Sequence, residues 1–277
     1  MSKRKRNSNK DDPSPKRRSI KSLEREIGER AHKKALKYKK KHNVPKMIKF
    51  LEKASSNNHT EACFELALWY KNGEGMKKDM KRAVGLYQKA ADSGHFVAMN
   101  NLAICYYKGE GVDKDLTKAV GLFQQAADGG HLKAMNNLAI CYYNGEGVEK
   151  DLTKAVGLYE QAADGGHLNA MYNLAIGYEN GEGVEKDLKK AVGLYQKAAD
   201  GGHLKSMYNL AICYEYGEGV EKDMKRAFGL YKRAADGGNP YAMKRLANYY
   251  KACERIKKDF KKAVSLYQKA INDGYII

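Results

Sequence analysis

Four histidines recur at intervals of 36 residues, and histidine is a common metal ligand and proton carrier. They are His95, His131, His167 and His203. The next copy of the position is Asn239 followed by Pro240, a pair typical of a helix N-terminus. Successive copies in a helical array should lie about 10 Å apart, which is too far to share one ion. The spacing therefore predicts a helix boundary, with no metal site and no cofactor.

A second ladder consists of glutamates that recur every 36 residues, all but the last between two glycines: Glu74, Glu110, Glu146, Glu182, Glu218 and Glu254. Acid–base catalysis needs two groups close together around a cleft, whereas this ladder spreads the carboxylates along the chain. No phosphate-binding loop or Ser/His/Asp grouping accompanies it. The sequence therefore predicts that the protein is not an enzyme.

The chain has five cysteines, of which Cys105, Cys141 and Cys213 share one position of the 36-residue pattern. They carry no C-x-x-C pair and no zinc-ligand spacing. We predict buried thiols on a packed helix face. An odd number of cysteines, without an apolar secretory segment at the start, favours a reducing compartment.

The pattern that must position all these residues is an internal repeat. Residues 132–167 return as residues 168–203 with 29 of 36 positions identical. Within a copy, apolar residues at helical spacing precede a turn at Asn144-Gly145-Glu146-Gly147. Asp151 can then cap a second helix, which ends at Gly165-Gly166. Each copy is predicted to be a helix–turn–helix unit that is stable only when stacked on its neighbours.

Six copies can be counted from the recurring capping aspartate. The aspartates are Asp79, Asp115, Asp151, Asp187, Asp223 and Asp259. The predicted repeats are 60–95, 96–131, 132–167, 168–203, 204–239 and 240–275, within a domain that spans residues 60–277. Residues 23–59 are predicted to form a basic helix followed by a degenerate capping half-repeat, because terminal units of such arrays are commonly atypical.

The string A-x-x-x-L-A-x-x-Y-x-x-G-E-G-V-x-K-D-x-x-K-A-x-x-L-Y-x-x-A-A-D-x-G resembles the Sel-1-like repeat, a relative of the tetratricopeptide repeat. It covers nearly four fifths of the chain. The resemblance implies an all-α, right-handed superhelix (solenoid) of helix–turn–helix repeats. It further implies a protein-interaction scaffold or adaptor without chemistry of its own.

The first helix of each repeat has two lines of apolar residues that we expect to pack against neighbouring helices. A third line of residues along the same helix is not explained by this packing. In the related tetratricopeptide fold this third line faces a concave groove. Isoleucines flanked by tyrosines and asparagines have the composition of a surface that binds a peptide or a helix; the alternative is that they pack between neighbouring first helices. The predicted groove residues are Asn100, Ile104, Tyr107, Asn136, Ile140, Tyr143, Tyr172, Ile176, Glu179, Tyr208, Ile212 and Glu215.

The positive charge of the chain is concentrated before the repeats. Residues 1–59 hold 20 Lys and Arg against 6 Asp and Glu, whereas the rest of the chain holds 31 against 27. Residues 1–22 are poor in apolar side chains, which predicts a disordered basic tail. Its two basic clusters resemble a bipartite nuclear-import signal, and Ser14 precedes Pro15 as at a proline-directed kinase site. The clusters are Lys3, Arg4, Lys5 and Arg6, followed by Lys16, Arg17 and Arg18.

These features predict an intracellular protein and favour the nucleus over the cytoplasm. They also predict that it binds proteins in the groove and an import receptor through the tail. The alternative is a nucleic-acid-associated protein that uses its basic N-terminal region for weak, salt-sensitive contact while the repeats recruit other proteins. No stretch approaches the length of apolar residues that a membrane-spanning helix needs, so we expect no membrane partner.

Overall fold

A computed structural model describes residues 19–252 together with residues 265, 266 and 269. The regular elements in this part of the chain are α-helices, and the all-α prediction is confirmed. They are α1 (Ile20–Lys40), α2 (Val44–Ser55), α3 (Thr60–Asn72), α4 (Met80–Asp92), α5 (Phe96–Lys108), α6 (Leu116–Asp128), α7 (Leu132–Asn144), α8 (Leu152–Asp164), α9 (Leu168–Asn180), α10 (Leu188–Asp200), α11 (Leu204–Tyr216), α12 (Met224–Asp236) and α13 (Pro240–Ala252).

The chain divides into two compact units, of which the first ends at His95. In this unit α1 packs on α2, α2 on α3, and α3 on α4. Helix α1 begins at Ile20, because the Ser19 side chain accepts a hydrogen bond from the Ser22 backbone N–H. The helix therefore begins three residues before Leu23, where the sequence analysis placed its start. Helix α2 begins after Asn43, whose side chain caps it.

The second unit begins at Phe96 and contains α5 to α13. Within this unit the helices from α5 to α13 pack on one another in chain order, so the hairpins stack one after the next. Fully buried alanines let the helices approach closely, for example Ala134 and Ala139 on α7 and Ala155 and Ala162 on α8. Larger side chains, such as Leu138, fill the space between them. Neighbouring repeats therefore share one continuous core.

Local signals set the helix ends as the sequence predicts. The aspartates at the starts of α4, α6, α8, α10 and α12 accept backbone hydrogen bonds of 2.9–3.0 Å from the residue three positions on. His131, His167 and His203 cap α7, α9 and α11 through Nδ1, which accepts a backbone N–H at 3.2 Å in each case. Asn239 does the same for α13 at 2.9 Å. The predicted helix-boundary role of these histidines is confirmed.

Basic side chains reinforce each hairpin in a way that the sequence analysis missed. The Lys154 ammonium lies 5.4 Å from the Tyr142 ring centroid and 3.3 Å from the Asp151 carboxylate. Lys190 repeats the contact with the Tyr178 ring at 5.0 Å. A cation over a tyrosine face is worth about 0.5–1 kcal/mol at an exposed site. Both hairpins therefore gain a small stabilising contact between their two helices.

The histidine caps predict a loss of stability on mild acidification. Burial lowers the pKa of both His167 and His203 from the ordinary value of 6.5, and nearby lysines lower it further. Below pH 6.5 the unfolded chain binds more protons than the folded chain. The free energy of unfolding is therefore highest above pH 6.5 and decreases as the pH falls through the folded-state pKa values. Protonation also removes the lone pair that caps the helix. Thermal melts should shift down by about 2–4 °C between pH 7 and pH 5.

The matched control is the double substitution His167→Asn and His203→Asn, because Asn239 already performs this capping role without titrating. Its melting temperature should change less over the same pH range. An equal shift in both proteins would show that other groups cause it.

Candidate partner-binding groove

The isoleucines of the predicted groove are half-buried. Ile140, Ile176 and Ile212 pack against the core of the second unit and leave part of their surface accessible, and Ile104 has the same intermediate exposure. They are therefore neither fully buried nor free of the core, and the groove assignment and the alternative packing between first helices both stay predictions. Helices α5, α7, α9 and α11 therefore each keep a partly accessible isoleucine at this position.

Two of the predicted groove residues are buried between repeats. Asn100 and Asn136 are only 3% and 4% exposed. The Asn100 side-chain oxygen accepts a hydrogen bond from the Asn137 amide at 2.9 Å, and Asn136 accepts one from Asn173 at 3.0 Å. A buried amide without a partner is costly, so these pairs fix adjacent repeats to each other. The prediction that both asparagines are exposed to a partner was wrong.

The tyrosines at the ends of α5 and α7 also bond to the next repeat. The Tyr107 hydroxyl donates to the Glu146 carboxylate, and the Tyr143 hydroxyl donates to Glu182. The hydrogen bond to Glu146, together with burial, raises the pKa of Tyr107 to about 12. The same bond holds the pKa of Glu146 below its ordinary value. The edges of these two rings remain half-exposed, while their hydroxyls are engaged within the chain.

The groove changes character in α9 and α11, where tyrosine replaces asparagine and glutamate replaces tyrosine at equivalent positions. Glu179 accepts a hydrogen bond from the Tyr195 hydroxyl at 2.5 Å, and Glu215 accepts one from Tyr231 at 2.6 Å. The Tyr172 ring lies 5.1 Å from the His203 ring. The predicted groove is therefore aromatic and acidic at α9 and α11, whereas the asparagines at the equivalent positions of α5 and α7 are buried.

Tyr208, another residue of the predicted groove, lies among other aromatic rings. Its ring centroid is 5.7 Å from that of Tyr231 and 5.9 Å from that of Tyr241. Tyr241 is 63% exposed and Tyr216, at the end of α11, is 58% exposed. Exposed tyrosines beside half-buried ones favour contact with another polypeptide. The sequence analysis placed Tyr208 in the groove but did not single out Tyr241.

An open pocket of about 640 Å³ joins the predicted residues of consecutive repeats. Asn136 and Ile140 from α7 and Tyr172 from α9 form part of its wall. The first residues of α11 and α13 complete it, including Lys205 and Pro240. Three of the predicted groove residues thus come together at one depression, although they are up to 36 residues apart in the chain.

A second pocket, of about 600 Å³, opens beside the second helices. Met171, Leu174 and Leu194 line it together with charged side chains, among them Glu160 and Lys197. It shares no residue with the pocket of the first helices. It is therefore a competing surface, against which binding at the predicted groove can be tested.

The described residues contain no group of side chains suited to metal binding. No three His, Cys, Asp or Glu side chains among them lie close enough to hold a metal ion. Cys63, Cys105, Cys141 and Cys213 are buried, and burial raises the pKa of Cys141 to about 11 and that of Cys213 to about 12. The predicted burial of the repeated cysteine is confirmed. No helix in this part of the chain is long and apolar enough to cross a membrane.

The tail residues of the predicted import signal, Ser14, Cys253, Glu254 and the capping Asp259 lie outside the described residues.

Comparison with known proteins agrees with the repeat count. A family model described as the Sel1 repeat matches residues 60–95, 97–131, 132–167, 168–203, 204–239 and 240–275. A comparison with curated proteins found no match.

Solved structures show the same fold. A Sel1 repeat protein from Oxalobacter formigenes is 29% identical with a TM-score of 0.78, over 87% of this chain and 96% of that one. A protective antigen with an SLR fold, from uropathogenic Escherichia coli strains, is also 29% identical with a TM-score of 0.74. That match covers 92% of this chain but 54% of the antigen, so this chain spans about half the antigen's length. An immunity protein from Pseudomonas aeruginosa, at 23% identity and a TM-score of 0.52 over 78% of this chain and 84% of its own, shows the fold alone.

Proposed function

The chain belongs to the Sel1 repeat family, and from this premise we propose that it is a noncatalytic interaction scaffold which holds a segment of a partner protein in the groove of its first helices. The pocket that brings Ile140 of one repeat beside Tyr172 of the next carries this proposal. The partner segment would bury the accessible parts of both side chains, and such apolar and aromatic anchors account for most of the binding energy at protein interfaces.

Affinity purification of the intact chain and of an Ile140→Asp, Tyr172→Ala variant tests the groove. The variant places a charge and removes a ring at the pocket, so proteins recovered with the wild type should be depleted by about tenfold or more. Quantitative mass spectrometry measures the depletion, and circular dichroism checks that the helices persist.

Leu194→Asp is the matched control, because Leu194 is also half-buried but lines the separate pocket of the second helices. The same proteins should be recovered with this control as with the wild type. If the control loses them and the groove variant keeps them, the binding surface lies on the second helices.

We also propose that the two basic clusters of the tail direct the protein to the nucleus through an import receptor, with phosphorylation of Ser14 weakening the adjacent cluster. The high positive charge before the repeats supports this proposal. A fluorescent fusion lacking residues 1–18 should shift from the nucleus to the cytoplasm, as measured by microscopy. A fusion that stays nuclear contradicts an import signal.

A second candidate for the same segment is nucleic-acid contact, which the same charge favours. Binding to a DNA or RNA duplex would then weaken steeply with salt and vanish when the tail and α1 lose their lysines and arginines.

A further inference from the structure

Helix α13 is the first helix of its repeat, and it places the guanidinium of Arg245 against a carboxylate of the preceding repeat. Arg245 on α13 donates from Nε to the Glu215 carboxylate at 3.2 Å, and its Nη2 donates to the other carboxylate oxygen. The same nitrogen lies 2.6 Å from the Tyr216 hydroxyl. The guanidinium also lies 5.9 Å from the Tyr216 ring centroid and 6.0 Å from that of Tyr249. A two-pronged pair of this kind is among the strongest side-chain contacts.

The pair fixes the charge state of both residues. Burial alone would raise the pKa of Glu215, but hydrogen bonds from Arg245 and Tyr231 outweigh it and hold the pKa below its ordinary value. The hydrogen bond to Glu215 raises the pKa of Arg245 in turn. The carboxylate at this position is therefore built to hold a guanidinium.

Glu179 occupies the same position one repeat earlier. The Tyr195 hydroxyl donates to it at 2.5 Å, just as Tyr231 donates to Glu215 at 2.6 Å. The equivalent of Arg245 is Asn209, whose shorter side chain donates to the Tyr195 hydroxyl at 3.1 Å and not to the carboxylate. Among the described residues, no Lys, Arg or His forms an ion pair with Glu179.

The positions equivalent to Glu179 on α5, α7 and α11 do not have a carboxylate that lacks a cation. The equivalents of Glu179 on α5 and α7 are Tyr107 and Tyr143, whose hydroxyls already donate to turn glutamates. Glu215 is neutralised by Arg245. Glu179 is therefore the acidic position of the described groove that has no cation from this chain. Removing a carboxylate from water without an opposite charge is unfavourable, so a cation from outside would stabilise it.

The position of Glu179 also suits a ligand held in the neighbouring pocket. Tyr172, Ile176 and Glu179 follow one another at helical spacing on one face of α9, about 10 Å from end to end. Tyr172 lines the pocket. A polypeptide whose apolar residue fills the pocket can therefore place a side chain near Glu179 a few residues later.

We propose that Glu179 binds an arginine side chain of a partner polypeptide lying along the groove, in the place that Arg245 takes at Glu215. The proposal rests on the proposed function, since it names the chemistry of the partner at the same groove. One repeat before Tyr216 and Tyr249 the chain has Asn180 and Cys213. An arginine at Glu179 would therefore be held by the carboxylate and not by aromatic rings. Arginine fits better than lysine because its planar fork can reach both oxygens.

Phage-displayed random twelve-residue peptides, selected on the full chain, provide the probe. The selected peptides should share an arginine at one position. Replacing that arginine with alanine should weaken binding to the wild type about tenfold or more, and should change binding to a Glu179→Gln variant by less than about twofold. Isothermal titration calorimetry measures both affinities and gives the coupling between the two groups.

Two further variants sharpen the test. Asn209→Arg should copy the internal Arg245 contact, occupy Glu179 from within the chain, and weaken the arginine peptide as much as Glu179→Gln does. Glu185→Gln, at an exposed turn position of the same repeat, should bind like the wild type.

The outcomes separate this proposal from the broader one. If groove-dependent peptides, lost on Ile140→Asp, share no arginine or show the same arginine effect with and without Glu179, then this proposal is wrong and the groove stands. If no selected peptide depends on Ile140, both the groove and the arginine site are wrong.

Discussion

Replacing Tyr195 with alanine should lower the free energy of unfolding by about 3–5 kcal/mol, the usual loss for a large ring removed from a packed core. The side chain is fully buried on α10, between the hairpins of two repeats. Its hydroxyl also joins Glu179 to Asn209 across those repeats. Removing it therefore opens a cavity and leaves a half-buried carboxylate without its donor. Urea unfolding followed by circular dichroism measures the loss.

Two substitutions of tyrosine control this result. Tyr195→Phe keeps the ring and should cost about 1–2 kcal/mol, for the lost hydrogen bonds alone. Tyr241→Ala removes a ring that is 63% exposed and should stay within about 0.5 kcal/mol of the wild type. Equal losses at Tyr195 and Tyr241 would mean that the stacked core does not stabilise the chain.

Gly183→Ala should destabilise the chain by about 2–5 kcal/mol, because it introduces both backbone strain and a steric clash. The glycine has φ of 72°, which costs other residues about 1–2 kcal/mol. A Cβ there would also lie 2.3 Å from the backbone oxygen of Leu152, in the preceding repeat, where no side-chain movement can relieve the clash. Gly147 and Gly219 make the same approach to their neighbours. Differential scanning calorimetry should show a lower melting temperature.

Gly193→Ala is the matched control for that substitution. Gly193 lies within α10, and a Cβ there would meet nothing within 4 Å. Alanine is the better helix former, so this variant should be more stable by about 0.5–1 kcal/mol. A stable Gly183→Ala protein would contradict the close contact between the turn of one repeat and the second helix of the one before.

The sequence predicted those features that depend on a few consecutive residues. The helix bounds followed from aspartate, histidine and glycine at fixed offsets, since capping involves residues within one turn. The one difference of this kind was at Ser19, which caps α1 by the same rule but has no copy in the repeats to draw attention to it.

Contacts between repeats were harder to predict, because they join residues about 30 to 40 positions apart. Asn100 reads as a polar surface residue until Asn137 is known to lie against it. The Arg245 contact with Glu215 shows the same limit. An alignment of the repeats does carry a signal at two positions of the first helix. The first position is asparagine and the second tyrosine in α5 and α7, whereas the first is tyrosine and the second glutamate in α9 and α11. That joint change indicates two kinds of groove before any coordinates are known.

Hydroxyl-radical footprinting of the full chain, with and without a captured partner polypeptide, tests the central claim most directly. Stacked hairpins that share their apolar flanks should leave the first-helix edge for the partner, so oxidation of Tyr172 and Tyr208 should fall on binding. Met224, which is 42% exposed on a second helix, should keep its reactivity. Protection of Met224 with unchanged oxidation of Tyr172 and Tyr208 would contradict the account.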